Sequence, residues 1–205
     1  MIRQLVRILL VLVFVAFSAP LQAADPAPVS VPGWVIDPAS SQLAFVAIQQ
    51  GAEIKGTFSR FSGDIHFDPA RPQESHATIR VDMASVDSQS AERDQSLQGP
   101  DWFGSESFPE SIYRVAKFEK INENQYIAKG ELVIRDLKQA LDLPLTIHFS
   151  TDESGRQVAK AEGEVSVNRL DYGVGQGAWQ DTQAVGNPVK IRILVIAHPA
   201  PAAPQ

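Results

Sequence analysis

Cysteine is absent from the 205-residue sequence. Disulfide bonds, thiolate metal sites and a cysteine nucleophile are therefore excluded. Clusters of basic residues are also absent, since the 18 Lys and Arg residues are spread along a chain of net charge -6. A protein that follows a phosphate backbone needs such a cluster, so nucleic acid is not an expected partner.

Motifs for metal binding and catalysis are also lacking. The four histidines fall in separate segments and form no HxH or HExxH pattern: His66, His76, His148 and His198. No G-x-S-x-G turn marks a serine nucleophile. The glycine run 173–177 follows no parallel-sheet pattern and opens no helix, which predicts a glycine-rich turn rather than a dinucleotide loop. We therefore expect no metal, no cofactor and no enzymatic activity.

The N-terminus has the pattern of a secretory signal peptide. Arg3 and Arg7 precede an uncharged apolar run over 8–17, and small residues follow up to Ala23. This run is shorter than the roughly 20 residues that a membrane-spanning helix needs. The sequence predicts a cleaved signal peptide over 1–23 and a secreted or periplasmic mature protein, with an uncleaved N-terminal anchor as the alternative.

The mature chain reads as one domain with loose ends. Residues 24–33 form a proline-rich leader, and residues 198–205 form a similar tail that we expect to be disordered. Residues 34–197 contain no linker and no change in composition. A single domain over this range is the prediction.

Apolar and polar residues alternate through most of residues 34–197, which is typical of strands with one buried face. One run of five apolar residues shares a single parity: Leu141, Leu143, Leu145, Ile147 and Phe149. The parity changes between Phe58 and Phe61, which predicts a bulge or a sharp bend. About eight such strands favour an all-β fold, a closed antiparallel eight-stranded barrel, with a two-sheet sandwich as the alternative.

Residues 87–109 interrupt the alternation. Ser88 or Ser90 can cap a short helix there, and Gly99 followed by Pro100 supplies its stop signal. Three large rings come directly after it: Trp102, Phe103 and Phe108. Such rings need an apolar surface to cover, so a short helix with an aromatic lid across one barrel end is expected.

The interior of such a barrel is either filled by side chains or left with room for one small ligand. Inward positions mix large rings with small residues, and the small ones could leave a void: Ala47, Gly56, Gly63 and Ala77. The pattern alone leaves open whether the interior is a filled core or a ligand cavity.

Residues spread over 34–197 resemble the YceI-like family. The similar residues run in the same order through the chain: Trp34, Ile36 to Pro38, Phe45, Gly56 to Phe58, Phe61 to Gly63, Ile65 to Asp68, Arg93, Asp94, Leu97, Trp102, Phe103, Phe108, Pro109, Gly130 to Ile134, Arg169 to Gly175 and Trp179. One departure falls at Arg135, where members of the family usually carry glycine. The resemblance implies a lipocalin-like barrel in the periplasm that binds a polyisoprenoid lipid, either a polyprenyl chain or an isoprenoid quinone, without catalysis.

The resemblance and the strand parity together suggest which residues meet such a ligand. Those expected to line the lumen or the lid are Phe45, Phe58, Phe61, Ile65, Phe67, Leu97, Trp102, Phe103, Phe108, Leu132, Leu145, Ile147, Phe149 and Trp179. Four charged residues are candidates to meet a polar head group: Arg93, Asp94, Arg169 and Asp171. Their alternative role is to cap the helix or to bridge strands.

A second hypothesis belongs to another class of function. A stress-related protein with a filled barrel core would carry no ligand and would act by binding a partner through residues 87–109. A transient inner-membrane partner and a homodimer are compatible with either hypothesis.

Overall fold

The computed structural model describes residues 30–201. The predicted signal peptide, most of the predicted leader and the last four residues lie outside the described residues. Eleven strands and one α-helix occur within the described range. They are β1 (Gly33–Ile36), β2 (Gln42–Gln49), β3 (Ala52–Phe58), β4 (Phe61–His66), β5 (His76–Asp82), β6 (Val86–Asp87), α1 (Ala91–Gln98), β7 (Glu110–Lys120), β8 (Gln125–Ile134), β9 (Leu137–Thr151), β10 (Gln157–Asn168) and β11 (Pro188–Pro199).

The strands close into an antiparallel barrel. Eight of them form a ring in the order β1, β4, β5, β7, β8, β9, β10 and β11, and the ring closes because β11 pairs with both β10 and β1. The other three strands lengthen positions of this ring. β2 pairs with β11, β3 pairs with β2, and β6 pairs with β3. The predicted eight-stranded barrel with one short helix is thus confirmed.

Three of the eight ring positions are made of two strands each. The break between β3 and β4 falls at Ser59 and Arg60, where the sequence predicts a bend. The backbone N–H groups of these two residues donate to the carbonyl and hydroxyl oxygens of Ser85, at 3.1 Å each. This anchored bend lets Phe58 and Phe61 both face the barrel interior despite their different parity.

The barrel domain extends past its predicted limits. β1 begins at Gly33, and β11 continues to Pro199, which is two residues into the predicted tail. Trp34 pairs with Pro199 and Val35 pairs with His198. These pairings are part of the closure between the first and last strands, so His198 and Pro199 are ordered strand residues.

One end of the barrel is packed with aromatic rings. Phe67 contacts Phe118 and Tyr126 edge-on, with ring centroids 4.9 and 5.2 Å apart, and the Trp34 Nε1–H donates to the Phe67 carbonyl at 2.9 Å. All four side chains are buried. We call this cluster of Trp34, Phe67, Phe118 and Tyr126 the aromatic end.

The opposite end is covered by residues 91–109, which we call the lid. Helix α1 begins after Ser90, whose hydroxyl accepts from the Arg93 N–H at 3.4 Å, and ends before Gly99. Leu97 is its one buried residue. Within residues 30–201, no helix has the length and apolar character needed to cross a membrane.

Candidate functional site

The barrel encloses an apolar cavity of about 280 Å³. Trp34 and Phe67 line it at the aromatic end, and Leu97 and Phe103 line it at the lid. Phe45 and Phe58 point into the barrel but are only half-buried, because part of each ring faces the cavity rather than other side chains. The interior is therefore a lumen and not a filled core.

The volume sets how much ligand the lumen can hold. An engineered cavity of about 150 Å³ in another protein accepts one benzene molecule. By that scale, 280 Å³ accommodates roughly a dozen carbon atoms without rearrangement of the walls.

Alanines create the space. Ala47 of β2, Ala77 of β5, and Ala159 and Ala161 of β10 all line the cavity. Each has a small side chain at an inward position where a larger apolar residue would fill the lumen.

Gly56 and Gly63, two of the four small residues that could leave a void, have another role. A Cβ on Gly63 would lie 2.7 Å from Ile79 Cδ1 and 2.8 Å from Ile36 Cδ1, and a Cβ on Gly56 would collide with the Phe45 ring. Neither glycine lines the cavity. Their missing side chains let neighbouring residues pack closely, so at these two positions the alternative of a packed wall applies.

Polar side chains in the lumen wall are bonded to the backbone. The Ser111 hydroxyl donates to the Val133 carbonyl at 2.8 Å. The Tyr113 hydroxyl lies 2.8 Å from the Ala128 carbonyl and 2.9 Å from the Leu141 carbonyl. Burial raises the pKa of Tyr113 far above its usual value, so the phenol stays neutral. The wall therefore presents an apolar surface in spite of these residues.

Arg169 is a buried cation at the lid end of the lumen. It is 3% exposed, and its guanidinium donates five hydrogen bonds to backbone carbonyls at 2.6 to 3.1 Å. The accepting carbonyls belong to Val174, Gly175, Trp179, Val185 and Gly186. Desolvation lowers its pKa, and no ion pair with a carboxylate is formed within residues 30–201.

This arginine organises the loop between β10 and β11. Gly175 adopts a left-handed conformation with φ 78°, and a Cβ there would collide with the guanidinium and lie 3.3 Å from the Trp102 ring. The glycine run 173–177 therefore folds closely around the Arg169 side chain. Sequence reasoning predicted a turn here, but it missed the residue that the turn encloses.

Aromatic contacts hold the lid against the barrel. The Phe103 and Phe58 rings lie 5.8 Å apart, and the Trp102 and Trp179 rings lie 5.5 Å apart. The Arg169 guanidinium lies over the Trp102 ring at 5.6 Å. These contacts place Trp102 and Phe103 at the end of the lumen.

Arg135, in the turn between β8 and β9, fastens the same segment. Its Nη1 donates to the carbonyls of Trp102 and Gly173, both at 2.8 Å, and its guanidinium lies over the Phe108 ring at 5.3 Å. Its backbone has φ 56°, a left-handed conformation that favours glycine. The Arg135 side chain therefore joins the lid to the loop between β10 and β11, although glycine would adopt this backbone conformation more easily.

Most of the residues expected to contact a ligand do line the cavity. They are Phe45, Phe58, Phe61, Ile65, Phe67, Leu97, Trp102, Phe103, Leu132, Leu145, Ile147 and Arg169. Phe108, Phe149 and Trp179 do not: Phe108 packs under Arg135, and Trp179 packs on Trp102. Phe149 is 41% exposed and lies against Trp34 at the barrel surface. Direct contact with a ligand stays a prediction for every member of the set.

Three of the four head-group candidates have local structural roles. The Arg93 guanidinium donates to the hydroxyl and carbonyl oxygens of Ser88, at 2.9 and 2.7 Å, and the Asp94 carboxylate accepts from the Ser88 N–H at 2.7 Å. Asp171 accepts from the Asn168 amide at 3.2 Å. None of the three lines the lumen. Arg93 and Asp94 hold Ser88 beside the start of α1, which agrees with the alternative role at the helix end, whereas the Asp171 carboxylate bonds to Asn168, three residues away, and bridges no strands.

Sequence reasoning also left out lining residues on the last two strands. Val165 and Val167 of β10 and Ile191, Ile193 and Val195 of β11 all line the cavity. Each set has a single parity, so the period-two alternation could have identified them. No group of three or more His, Asp or Glu side chains among residues 30–201 is placed to hold a metal ion.

A closed antiparallel barrel of eight strands around one apolar lumen, with a helix and an aromatic loop across one end, defines the lipocalin-like class of barrel. The chain belongs to the YceI-like domain family, whose sequence profile matches residues 34–197.

Related proteins cover this domain to different extents. A UPF0312 protein of Shewanella oneidensis is 28% identical over 164 residues, which is 77% of this chain and 86% of that protein. A UPF0312 protein of Photorhabdus laumondii is 32% identical over 88 residues, which is 43% of this chain and 45% of that protein.

Solved structures with the same fold come from other bacteria. The Burkholderia cenocepacia protein BcnA superimposes with a TM-score of 0.73 at 25% identity, over 78% of this chain and 98% of that one. A polyisoprenoid binding domain from Saccharophagus degradans superimposes with a TM-score of 0.65 at 13% identity, over 82% of this chain and 99% of that one. At 13% identity the likeness concerns the fold alone.

Proposed function

We propose that the protein binds an isoprenoid lipid in the barrel lumen and carries it through the periplasm. The observation that carries the proposal is the continuous apolar cavity between the aromatic end and the lid. Membership of the YceI-like family and the fold shared with a polyisoprenoid binding domain support it. The periplasmic location rests on the predicted signal peptide.

A prenyl chain suits this lumen because it is apolar along its length. Roughly a dozen carbons, or about two prenyl units, fill 280 Å³, and burying them at about 0.8 kcal/mol each contributes about 10 kcal/mol before ordering costs. A longer chain needs the walls to move apart or the chain to extend beyond the lid. The lumen therefore accepts about two prenyl units as it stands, and a longer chain requires one of these two changes.

Binding without catalysis fits the chemistry of the wall. The hydroxyls of Ser111 and Tyr113 are bonded to backbone carbonyls, and every N–H of the Arg169 guanidinium is used in the same way. The wall therefore offers no acid and base pair to a bound molecule.

The alternative, a partner-binding protein with a filled core, has less support because the barrel contains a cavity of about 280 Å³. A transient inner-membrane partner and a homodimer stay predictions. Cross-linking in whole cells and sedimentation of the mature protein test them, respectively.

Native mass spectrometry of the mature protein purified from its own periplasm tests the proposed function, followed by organic extraction of whatever is released. The expected result is one prenyl lipid or prenyl quinone per protein. An empty protein that also fails to bind added prenyl chains of any length would overturn the carrier function and favour action through the protein surface.

A further inference from the structure

The pairing between β9 and β10 stops part of the way along the barrel. The last pair towards the lid is Gly163 opposite Leu145. Within residues 30–201, no ladder pair joins 137–144 of β9 to 164–168 of β10. Both segments keep their other neighbours, because 137–144 pair with β8 and 164–168 pair with β11. We call the boundary between these two segments the seam.

Pro144 explains where this ladder stops. Proline has no N–H and cannot donate to a neighbouring strand. The Pro144 carbonyl faces β10, since a Cβ on Gly163 would lie 2.6 Å from its oxygen. The N–H and C=O of one strand residue point to the same neighbour, so the missing donor also faces β10. The seam therefore begins at this residue.

Apolar side chains close the seam in place of backbone hydrogen bonds. Leu141 of β9 packs against the buried cluster that contains Val167 of β10. Leu143 and Val165 flank the seam as well, and all four residues line the lumen. Such contacts are not directional. The two strands can therefore separate here without breaking a ladder between them.

An apolar groove of about 380 Å³ lies on the outer surface where the seam begins. Ile121, Ile127 and Pro144 supply its apolar surface, and Ile121 is 59% exposed. The carboxylates at its edge, of Glu162 and Glu164, are paired with basic residues of β10 and β11. The groove therefore suits an apolar chain better than a charged molecule.

Leu145 separates this groove from the lumen. Among the described residues, it is the one that lines both. It packs over Gly163, where a Cβ would lie 2.8 Å from Leu145 Cδ2. The groove and the lumen are thus one side chain apart, at the residue pair where the β9–β10 ladder ends.

A long prenyl chain exceeds the capacity of the lumen. About a dozen carbons fit in 280 Å³, so a four-unit chain of about 20 carbons leaves about eight outside. On the same scale these need about 200 Å³, which the groove provides. The lid is a less favourable exit, because Arg135 holds the Trp102 carbonyl and Phe103 packs on Phe58.

We propose that the seam between β9 and β10 opens beside Leu145, and that the part of a prenyl chain longer than about two units passes through it into the outer groove. The inference rests on the proposed function, because it assigns the first two units to the lumen. It extends the binding site across the barrel wall and makes chains of about four units the preferred ligand class.

Two alcohols that differ only in length test this inference: geraniol, with two prenyl units, and geranylgeraniol, with four. Wild-type protein should bind geranylgeraniol about a hundredfold more tightly in fluorescence titrations, as expected if about half the surface of eight carbons is buried in the groove. Ile121→Asp should lower geranylgeraniol affinity about tenfold and leave geraniol affinity unchanged. Val35→Asp is the matched control, because Val35 is 51% exposed but lines neither cavity, and it should change neither affinity.

Photolabelling of wild-type protein does not depend on how the variants fold. Two four-unit probes carry a diazirine at one end of the chain or at the other, so the direction of the chain does not affect the result. One of them should label residues 121–127, 144–146 or 162–164, as mapped by peptide mass spectrometry. The two-unit analogues should label lumen residues alone.

Labelling of the lid, residues 91–109, by the outer end of the four-unit probes would overturn the inference and leave lumen binding intact. Equal affinity for the two alcohols, or an equal effect of Ile121→Asp and Val35→Asp on geranylgeraniol, would also overturn it. Failure of both alcohols to bind would count against the proposed function itself.

Discussion

Filling the lumen from its wall should abolish ligand binding without unfolding the barrel. Ala161 lies on the inner face of β10, pairs with Ile147 and Val195 of the neighbouring strands, and lines the cavity. In Ala161→Phe, a phenyl ring would enter the space that the ligand needs. The backbone of the strand has no reason to move, because the new ring enters a cavity and not a packed region.

The size of the effect follows from the volume. A benzene-sized ring takes about 150 Å³, roughly half of the 280 Å³ lumen, and displaces about six ligand carbons. At about 0.8 kcal/mol per carbon, the ligand loses about 5 kcal/mol, which is more than a thousandfold in affinity. The stability of the variant should stay within about 1 kcal/mol of wild type or increase, because burial of the ring offsets local crowding.

Titration of the purified variant with geranylgeraniol, followed by intrinsic fluorescence and native mass spectrometry, measures this loss. Ala140→Phe is the control, since Ala140 is exposed on the outer face of β9 and should bind as wild type does. Wild-type affinity in a folded Ala161→Phe protein would mean that the ligand lies outside the lumen. That result would refute both the site and the energy estimate.

Three further substitutions test the parts around the site. Arg169→Met should lower the free energy of unfolding by about 3 to 5 kcal/mol in a urea titration, because the backbone carbonyls around Arg169 lose their donors. A loss under about 1 kcal/mol would contradict the role of Arg169 in organising the loop between β10 and β11. Arg135→Gly removes backbone strain at a left-handed position but also removes the hydrogen bond to the lid, so amide hydrogen exchange over 99–109 should accelerate about tenfold. The control Gln50→Gly changes another left-handed position, in the β2–β3 turn, and should leave this exchange rate unchanged. Backbone N–H donors and a neighbouring arginine hold the pKa of Asp68 below its usual 3.8. A carboxyl whose pKa is lower in the folded than in the unfolded protein stabilises the folded state at pH values above the unfolded pKa. The contribution of Asp68 to stability should therefore disappear as the pH falls below about 4. In acid denaturation, Asp68→Asn should lose less stability than wild type over this range.

Local sequence patterns were sufficient to predict the architecture of the barrel. The single parity of the apolar residues over 141–149 determines which face of β9 is buried, and the parity change between Phe58 and Phe61 marks the bend that the structure shows. Ser90 and Gly99 delimit α1 because capping depends on residues within one turn of the helix end. These features follow from neighbouring residues in the chain, so the sequence by itself determined the barrel, its helix and the position of its lid.

Contacts between distant segments decided the site. Parity placed Gly63 and Ala47 on inner faces alike, but only the ring register shows that the side chains of Ile36 and Ile79 close around Gly63 while Ala47 borders open space. From the sequence, Arg169 was a candidate to meet a polar head group, yet the loop that follows it folds back and takes up all its donors. Side chains from strands and loops far apart in the sequence decide whether an inward residue fills the lumen or borders it. They also decide whether a charged side chain is free or enclosed. Only the tertiary structure brings them together.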